Sequence, residues 1–398
     1  MAISFVFARC FAYNCGVNIL QICSAREIGG GERHFADLVN SLADRGHKIF
    51  AAVIPNSPLL GELASVPKEN IYELRMRNSL ALIAACRLAR FVRENGVEII
   101  HAHRARDYPL AAIASFLSGN TPYILTRHVL FPMKRLNRLI LRKATRVISV
   151  SDPVADSVRA QRVFDVGIQI TIRNGIRVER FAAKAGAKSR PSYLADRQGR
   201  YFVGMVGHLS AIKGQADLVH AARIVTDRMD SVDFIIAGED KSSKLENRAS
   251  IEELISRLGL NARVHLIGWI DDVTELLGAL DLFVSPSRME PFGLAMVEAM
   301  AAGVPVIASS SEGAREIIED GVTGRLVPIE DPEALAVAVT ELLANKSERE
   351  RLSGNAREKA LRCFSLGAMV DATEQVCFDV LNRREKAEHE RTLTSSRS

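Results

Sequence analysis

Apolar runs rich in β-branched residues alternate along the chain with stretches whose apolar residues recur at helical spacing. In the first half this pattern predicts strands at residues 19–23, 48–54, 98–102, 123–126, 146–150 and 169–172. In the second half it predicts strands at 201–206, 233–237, 263–266, 282–285, 305–308 and 324–327. Strands that alternate with helices are typical of βαβ units and parallel sheets. The predicted fold class is therefore α/β, with two doubly wound, Rossmann-like domains that face each other across a cleft.

Shifts in composition divide this pattern into domains. The segment AAKAGAKSRPSYLADRQG lacks periodicity and collects glycine, proline, serine and charge, which predicts an interdomain linker at 183–199. The predicted domains then cover 17–182 and 200–364. A C-terminal helix at 365–385 is predicted to pack back toward the first domain, and 386–398 to form a flexible tail. Residues 1–16 are predicted to lie outside the fold, because the first strong strand pattern starts at Val17.

The composition is that of a globular protein. Of the 398 residues, 47% are hydrophobic and 25% are charged, which excludes disordered and collagen-like chains. The six cysteines form no Cys-x-x-Cys pair, so we interpret them as reduced thiols of a cytoplasmic protein rather than as a zinc or redox site. Arg9 interrupts the apolar N-terminal stretch, which argues against a secretion signal. No apolar run has the roughly 18 residues that a membrane-spanning helix needs.

Positive charge is concentrated in the first half of the chain. Residues 1–190 carry a net charge of +14, whereas residues 191–398 carry −9. Seven basic residues and no acidic one lie between Arg127 and Arg146, with leucine and isoleucine at near-helical spacing. A basic amphipathic helix of this kind can bind an anionic membrane. The residues assigned to this membrane-facing or acceptor-facing surface are Lys134, Arg135, Arg138, Arg142 and Lys143.

Two other interpretations of the basic segment stay open. Nucleic acid attracts the same charge, although the sequence contains no recognisable nucleic-acid-binding module, and we expect no nucleic acid partner. A core-packing helix with a solvated basic face explains the segment equally well.

Two strand-to-helix turns have the chemistry of phosphate sites. The first strand is followed by GGGE, whose consecutive glycines expose backbone N–H groups at a helix N-terminus. The second domain opens with VGMVGHLSAIKG, which places Lys213 at the start of a helix and His208 in the loop before it. Taken alone, a packing turn and a solvated lysine explain these features as well. The GGGE turn is not the G-x-G-x-x-G fingerprint, so a nicotinamide cofactor is not indicated.

A pair of carboxylates forms the strongest local pattern. In EPFGLAMVEAMAAGVPVIA, Glu290 lies in a loop and Glu298 lies about one turn inside the following helix. Such carboxylates can accept hydrogen bonds from several sugar hydroxyls, and the backbone N–H groups of 292–295 can bind an anion. Paired carboxylates also suit a glycosidase. A hydrolase of simple glycosides, however, has no need of the neighbouring phosphate-binding turns.

Three histidines lie at the carboxyl ends of predicted strands in the first domain, namely His101, His103 and His128. A histidine in such a place is more often a structural hydrogen-bonding group than a catalytic one, but His128 is the best placed to contact a ligand. Asp107 is the only carboxylate that the sequence offers beside them, so no metal site is predicted.

Together these motifs resemble family 4 of the retaining nucleotide-sugar glycosyltransferases, which have the GT-B fold. The resemblance runs from Val17 to Phe364 and rests on EPFGLAMVEAMAAGVPVIAS, VGHLS…KG, the GGGE loop, Asn174-Gly-Ile and EIIEDGVTGRLV. It implies an N-terminal acceptor domain and a C-terminal domain for a nucleotide-diphosphate sugar. It further implies hexose transfer with retention, without a divalent metal or other cofactor. We expect a glycan acceptor that is lipid-linked, as in lipopolysaccharide or cell-envelope synthesis, at the cytoplasmic face of the inner membrane.

The resemblance also implies a role for each matching residue. Glu298 would hold the ribose of the donor, Glu290 would contact the transferred sugar, and His128 would lie near that sugar and steady its developing positive charge. Glu290 and His128 are therefore the predicted catalytic residues. The residues implied to bind the donor diphosphate are Lys213, His208, Gly30 and Gly31. The residues whose backbone N–H groups would meet the sugar and the distal phosphate are Phe292, Gly293 and Leu294.

One residue departs from the family pattern. Most relatives carry arginine where this sequence has His208, and an imidazole offers fewer donors than a guanidinium group. Our hypothesis is that an adjacent diphosphate keeps His208 protonated. The alternatives are weaker donor binding or a substitute arginine, for which the candidates are Arg173, Arg288 and Arg315. Two other functions are compatible with the fold: a sugar-nucleotide epimerase or hydrolase, and a non-catalytic nucleotide-binding protein.

Overall fold

The computed structural model describes residues 16–76, 82–133, 137–182, 199–242 and 244–395, with side chains through Lys386. Residues 1–15, Lys134, Arg135 and nearly all of the predicted linker lie outside the described residues. Contacts divide the chain into two compact units. The first unit contains Met1–Arg173 and Gly367–Ser398, and the second unit contains Asn174–Leu366.

The described part of the first unit is built on a seven-stranded sheet. Its strands are β1 (Asn18–Cys23), β2 (Lys48–Val53), β3 (Ile71–Glu73), β4 (Ile99–Ala102), β5 (Tyr123–Arg127), β6 (Arg146–Ser149) and β7 (Gln169–Thr171). Its helices are α1 (Gly30–Asp44), α2 (Leu82–Glu94), α3 (Tyr108–Leu117), α4 (Asn137–Ile140), α5 (Asp152–Gln161) and, after the second unit, α14 (Leu366–Ser395). Neighbouring strands are parallel, in the order β3-β2-β1-β4-β5-β6-β7.

The described part of the second unit has a six-stranded parallel sheet in the order β10-β9-β8-β11-β12-β13. Its strands are β8 (Tyr201–Val206), β9 (Val232–Ala237), β10 (Val264–Gly268), β11 (Leu282–Ser285), β12 (Val306–Ser309) and β13 (Arg325–Val327). Its helices are α6 (Val178–Ala182), α7 (Gln215–Thr226), α8 (Glu246–Arg257), α9 (Val273–Ala279), α10 (Leu294–Ala301), α11 (Glu312–Ile317), α12 (Pro332–Ala344) and α13 (Lys346–Cys363).

Helices cover both faces of the second sheet, because successive residues of a strand point to opposite sides. Phe202 of β8 packs in one core layer with Met296 of α10. The next residue, Val203, packs in the other layer with Leu218 of α7. Strands buried on both faces read as continuous apolar runs, which is why the sequence pattern located them.

Each sheet has a point at which the strand order changes direction. In the first unit this switch point lies between β1 and β4, and in the second unit it lies between β8 and β11. The loops that follow the two strands diverge to opposite faces of the sheet. They leave a crevice at the carboxyl ends of the strands, where open α/β sheets bind their ligands.

The predicted fold class is confirmed for each unit, and every predicted strand is present with bounds that differ by at most two residues. The short strand β3 was not predicted, because three residues at a sheet edge are too few to show an alternating pattern. No helix in the described part of the chain combines the length and apolar character needed to cross a bilayer.

The basic segment from Arg127 to Arg146 does not form one amphipathic helix. Arg127 ends β5 and Arg146 begins β6, and both side chains are buried. Among the described residues between them, the only helix is α4, of four residues. Pro132 and the strand-forming residues at either end account for this, because proline interrupts a helix and β-branched residues favour a strand.

The first unit ends earlier along the chain than the predicted boundary at 182. Ile176, Val178 and Phe181 pack in the core of the second unit with Met296, and Ile176 pairs with Ser365. The sequence could not show this, because an apolar helix looks the same whichever core it joins.

The C-terminal segment is a continuous helix. A flexible tail was predicted from residue 386, but α14 continues to Ser395. The helix can continue because the segment KAEHERTLTS contains good helix formers and neither glycine nor proline. Arg45 and His47 contact Glu374 of α14 at 3.0 and 2.7 Å, respectively. These contacts join α14 to the first unit.

Candidate active site

An ion pair joins the loops after β8 and β11 at the switch point of the second unit. Lys213 ends a single 3-10 turn (Ala211–Lys213) that follows β8, and Glu290 lies in the loop after β11. Lys213 Nζ donates a hydrogen bond to Glu290 Oε2 at 2.5 Å. The Glu290 side chain is 11% exposed and that of Lys213 is 28% exposed, so both are largely shielded from water while remaining accessible. The switch point therefore carries one cation and one carboxylate in direct contact.

Close backbone packing holds these two loops together. The Arg288 N–H donates to the Ile212 carbonyl at 2.8 Å. Gly214 has a φ of +70°, and a Cβ there would lie 2.0 Å from the carbonyl oxygen of Pro286. Because no side chain fits in that space, glycine directly after Lys213 is required for the loops to approach each other.

The helix α10 begins beside Glu290. Gly293 starts it with a φ of +113°, and the N–H groups of Leu294 and its successor are among the first-turn donors that have no partner within a helix. Phe292 is buried and its ring packs edge-on against Phe364 at 5.6 Å, so its backbone rather than its side chain is placed for a ligand. Glu298, on the next turn, is 8% exposed. The positive end of the helix dipole and two carboxylates thus belong to one short segment.

The three candidate substitutes for the missing arginine are placed differently. Arg288 pairs with Glu330 at 2.7 Å and with Asp217 at 3.4 Å. Arg173 belongs to the first unit, where it pairs with Asp152. Arg315 is an exposed residue of α11. His208 lies in the loop after β8, where its carbonyl accepts a hydrogen bond from Gln215 Nε2 at 2.8 Å.

The switch point of the first unit is held by a buried aspartate. Asp107 Oδ2, in the loop after β4, accepts a hydrogen bond at 2.9 Å from the N–H of Ser24 in the loop after β1. Burial raises the pKa of Asp107 to about 6, since desolvation penalises its charged form. Arg104 and Glu32 form a second link between the same two segments, at 3.4 Å.

Four histidines gather beside this link. His101 Nε2 lies 2.7 Å from Thr126 Oγ1, and His103 Nε2 lies 2.7 Å from Gln21 Oε1. His34 of α1 packs edge-on against the ring of His128 at 4.7 Å. Burial, with a smaller contribution from the neighbouring imidazoles, lowers the pKa of His101 to about 3 and keeps the pKa values of His103 and His128 well below the ordinary value of 6.5. The rings of His101, His103 and His128 are therefore neutral at physiological pH.

His128 retains unused hydrogen-bonding capacity. In the described part of the chain neither of its ring nitrogens has a hydrogen-bond partner, and the same holds for Nδ1 of His103. A neutral imidazole offers one donor and one acceptor, which suits an uncharged hydroxyl group. A Cβ on Gly31 would make only an ordinary contact with His128, 3.6 Å from its Cγ, so the His128 ring does not itself require glycine there.

A metal site is conceivable only with rearrangement of this cluster. The nearest ring nitrogens of His34, His103 and His128 lie within 4.8 Å of one another. A zinc ion with Zn–N distances of about 2.1 Å in tetrahedral geometry needs its ligand nitrogens roughly 3.4 Å apart. The three side chains would have to draw together to hold an ion.

The assigned basic residues that fall within the described part of the chain are exposed. Arg138, Arg142 and Lys143 surround α4, and Leu139 between them is 69% exposed. Lys143 Nζ lies 5.7 Å from the ring centre of Phe116, which is also exposed. Arg138 and Arg142 line an open groove of about 430 Å³ together with Phe164. Positive charge and apolar surface are therefore combined here, although not on one long helix.

Sequence reasoning missed one residue of the histidine cluster. His34 was not considered, although the GGGE loop and helical spacing place it one turn into α1 beside the glycines. The rule that ligands bind where such a helix begins, at the carboxyl edge of the sheet, could have identified it.

Two family models together match most of the chain. Residues 191–359 match the group 1 glycosyl transferases, and residues 28–180 match glycosyltransferase family 4. The chain belongs to this family of glycosyltransferases and has the GT-B fold, so the predicted family is confirmed.

Individual relatives agree with this assignment. The chain is 29% identical over 355 residues to the lipopolysaccharide core biosynthesis glycosyltransferase LpsE of Rhizobium meliloti, an alignment that covers 87% of this chain and 95% of LpsE. It is 26% identical over 351 residues to a phosphatidyl-myo-inositol mannosyltransferase of Mycolicibacterium smegmatis, covering 84% and 86% of the two chains. The crystal structure of Anabaena HepE in complex with UDP and glucose superposes with a TM-score of 0.77 at 23% identity, covering 90% of this chain and 99% of HepE.

Proposed function

We propose that the protein transfers a hexose from a nucleotide-diphosphate sugar to a glycan acceptor, with retention at the anomeric carbon and without a divalent metal. The observation that carries the proposal is the contact between Lys213 and Glu290 at the switch point of the second unit, beside the N-terminus of α10. This arrangement combines a cation, a helix dipole and carboxylates, which are the groups that a sugar linked to a diphosphate requires.

The second unit provides a group for each part of such a donor. Lys213 and the first N–H groups of α10, near Gly293 and Leu294, would neutralise the diphosphate. Glu298 would accept hydrogen bonds from the ribose hydroxyls, and Glu290 from hydroxyls of the sugar. The UDP bound to HepE, a protein of the same fold, supports the choice of a nucleotide donor.

The proposed reaction breaks the bond between the anomeric carbon and the diphosphate oxygen and forms a bond from the same carbon to an acceptor hydroxyl. The electron pair of the broken bond stays on the leaving diphosphate, whose oxygen also takes the acceptor proton on the same face. Negative charge therefore grows on the diphosphate in the transition state. Lys213 and the α10 N-terminus supply positive charge at that place, which is our reason for proposing that no metal is required.

The first unit would contribute neutral polar groups. His128, with both ring nitrogens unpartnered among the described residues, could bond a sugar or acceptor hydroxyl without bringing charge. Its catalytic role rests on the family resemblance. Gly30 and Gly31 have no positive φ, and their backbone N–H groups open α1, where they could approach the diphosphate.

We further propose that the acceptor is lipid-linked and that the protein contacts an anionic membrane surface. Arg138, Arg142 and Lys143 are exposed beside the apolar Leu139, a combination that binds acidic lipid headgroups. The names of two relatives, one for lipopolysaccharide core biosynthesis and one for phosphatidyl-myo-inositol, support a lipid-bound acceptor.

Turnover assays with single donors test the proposal directly. Purified protein is incubated with UDP-glucose, UDP-galactose, GDP-mannose or ADP-glucose, with a membrane lipid extract as acceptor, in the presence and absence of EDTA. We expect one donor to be consumed only when acceptor is present, at a rate that EDTA does not change, and NMR of the product to show the anomeric configuration of the donor.

Other outcomes would identify a rival function. Donor consumption without acceptor would indicate an epimerase or hydrolase, and binding without consumption would indicate a non-catalytic protein. Inversion at the anomeric carbon, or complete loss of activity in EDTA, would contradict the mechanism while leaving a transferase. Glu290→Ala provides the matched negative control, provided that it melts within a few degrees of the natural protein.

A further inference from the structure

Three histidines from three different elements of the first unit converge at the carboxyl edge of its sheet. His34 lies one turn into α1, His103 directly follows β4, and His128 directly follows β5. One ring nitrogen of each lies within 4.8 Å of those of the other two. Imidazole is the commonest metal ligand in proteins, and three imidazoles with a fourth position left open are one of the ligand sets that hold zinc. The cluster therefore has the donor chemistry of a zinc site.

The rings are spaced almost as they would be around one ion. Zn–N distances of about 2.1 Å place each ring centre about 3.2 Å from the ion and, at tetrahedral angles, about 5.2 Å from the next ring centre. The ring centres of His34 and His128 are 4.7 Å apart, and that of His103 lies 6.0 Å from the first and 6.1 Å from the second. Each spacing is within 1 Å of the tetrahedral value. Rotation of the side chains can therefore supply the rearrangement that draws the nitrogens together.

A buried amide orients His103 as a ligand. His103 Nε2 lies 2.7 Å from Gln21 Oε1. Because an amide oxygen only accepts, Nε2 carries the proton and Nδ1 carries the lone pair. Nδ1 is buried, and it has no hydrogen-bond partner within the described part of the chain. Metal-binding histidines usually donate their second N–H to an oxygen of this kind, which fixes the tautomer and the direction of the ring. Gln21 has that position toward His103.

The backbone around the cluster is fixed, and one ring is open to solvent. The His103 N–H donates to the Ile22 carbonyl of β1 at 3.2 Å, and the ring of Phe35 packs edge-on against that of His103 at 5.0 Å. The carbonyl of Arg127, directly before His128, accepts a hydrogen bond from the Val150 N–H at 3.2 Å. Of the three histidines only His128 is partly exposed. An ion can therefore enter past His128 and meet two ligands that are already in place.

The charges around the cluster permit a cation. Neutral imidazole is the form that binds metals, and burial keeps His103 and His128 neutral by holding their pKa values well below 6.5. The cations that act on His128 are Arg127 and Arg104. Arg104 is paired with Glu32 at 3.4 Å, so part of the opposing charge is already neutralised.

We infer that His34, His103 and His128 form a binding site for zinc and that zinc bound there inhibits the enzyme. The ion would take a ring nitrogen of His128 that the proposed reaction uses for a hydroxyl group. The inhibition rests on the proposed function, whereas the binding of zinc does not. A reaction that needs no metal is compatible with this site, because the ion would block a neutral hydroxyl-binding group rather than assist the diphosphate.

Direct binding tests the site without any substitution. Protein purified without a polyhistidine tag is titrated with zinc chloride in a calorimeter and, in parallel, with magnesium chloride. We expect one equivalent of zinc to bind and magnesium not to bind, since magnesium prefers oxygen ligands. X-ray absorption of the one-to-one zinc complex should show three imidazole nitrogens at about 2.0 to 2.1 Å. Sulfur ligands at about 2.3 Å would refute the site, because the ion would then be held by cysteine.

Four variants test which residues hold the ion. His34→Gln and His103→Gln should each weaken zinc binding at least roughly 100-fold, because losing a ligand costs more than losing a residue that orients one, for which the loss is about 10- to 100-fold. Gln21→Leu, which removes no ligand, should show that smaller loss. His220→Gln serves as the control, because His220 is an exposed histidine on α7 of the second unit. It should bind zinc as the natural protein does, and each variant is required to melt within a few degrees of the natural protein.

Inhibition is measured as the ratio of turnover with and without zinc within each protein, so that an effect of the substitution on the basal rate cancels. Saturating zinc should abolish turnover of the natural protein, and EDTA should restore it. His34→Gln should need roughly 100-fold more zinc for the same inhibition, in proportion to its loss of affinity.

The outcomes separate this inference from the proposed function. Equal zinc affinity in the natural protein, His34→Gln and His103→Gln would refute the site. Zinc held by three imidazoles without any effect on turnover would refute the inhibition, and would show that the reaction does not use the nitrogens of His128. If zinc binds as expected but no donor is consumed, the proposed function fails and the metal site stands.

Discussion

The switch points of the two units have the same topology, but different side chains are available there to a ligand. At the second, a lysine and a glutamate from the loops after β8 and β11 are in contact, and a further buried glutamate lies on α10. At the first, Arg104 and Glu32 also form an ion pair, but the rings of His103 and His128 are neutral, and burial raises the pKa of Asp107 to about 6. Both sites lie at the carboxyl ends of parallel strands beside a helix N-terminus.

This difference shows that topology places a site but does not decide what it binds. Charged side chains at the second switch point match the charges of a diphosphate, whereas uncharged nitrogens at the first suit hydroxyl groups. The net charge of +14 in residues 1–190 is therefore not a property of the first unit's switch point. At least part of it is carried by the exposed loop around α4.

Removing the cation at the second switch point should have the largest effect on the reaction. We expect Lys213→Met to lower kcat by roughly 10²- to 10³-fold, because it removes charge that opposes the negative charge of the leaving group. Lys213→Arg keeps the charge and should lose much less. The measurement is initial-rate kinetics with a saturating acceptor, and turnover of Lys213→Met close to that of the natural protein would show that Lys213 serves only as the partner of Glu290.

Removing the cations of the first unit's exposed loop should affect membrane binding but not the donor. Each basic residue near an anionic surface contributes about 1 kcal/mol, so replacing Arg138, Arg142 and Lys143 together by alanine should weaken binding to phosphatidylglycerol vesicles roughly 100-fold at low salt. Sedimentation with vesicles measures this, and phosphatidylcholine vesicles serve as the uncharged control. If the natural protein binds both kinds of vesicle equally, or neither, the membrane proposal fails.

The comparison also shows what the sequence could predict. Apolar runs located the strands, and the segments that follow them supplied the candidates Glu290, Glu298, Lys213 and His128, because ligand-binding residues gather near the carboxyl ends of strands. The ion pair between Lys213 and Glu290 could not be predicted, since it joins residues 77 positions apart whose separation depends on loop packing. The basic segment was misinterpreted because charge and apolar spacing are the same whether a segment folds as one helix or as strand, turn and strand.

Truncating the neutral ring at the first switch point should have a smaller effect. His128→Ala should lower kcat roughly 10- to 100-fold, the contribution of a few hydrogen bonds to a bound hydroxyl. The affinity of the second unit for nucleoside diphosphate should stay the same. Because burial keeps the pKa of His128 well below 6.5, the ratio of natural to variant activity should also be constant between pH 6 and 7. A ratio that falls as the pH drops toward 6 would show that His128 is exposed and titrates as a free histidine.

The smallest effect on the reaction is expected from Asp107, which acts on stability. Its pKa is 3.8 in the unfolded chain and about 6 in the folded protein, so the folded state binds the proton more tightly. The stabilisation is therefore complete below pH 3.8 and is lost as the pH rises through 6, on the order of 3 kcal/mol in all. Asp107→Asn retains an oxygen to accept the Ser24 N–H but cannot ionise. We expect the free energy of unfolding of Asp107→Asn, measured by urea titration, to rise relative to that of the natural protein as the pH increases from 4 to 7. Turnover should stay within about twofold of the natural value. Parallel stability curves would show that Asp107 keeps an ordinary pKa and that the first switch point is more polar than its burial indicates.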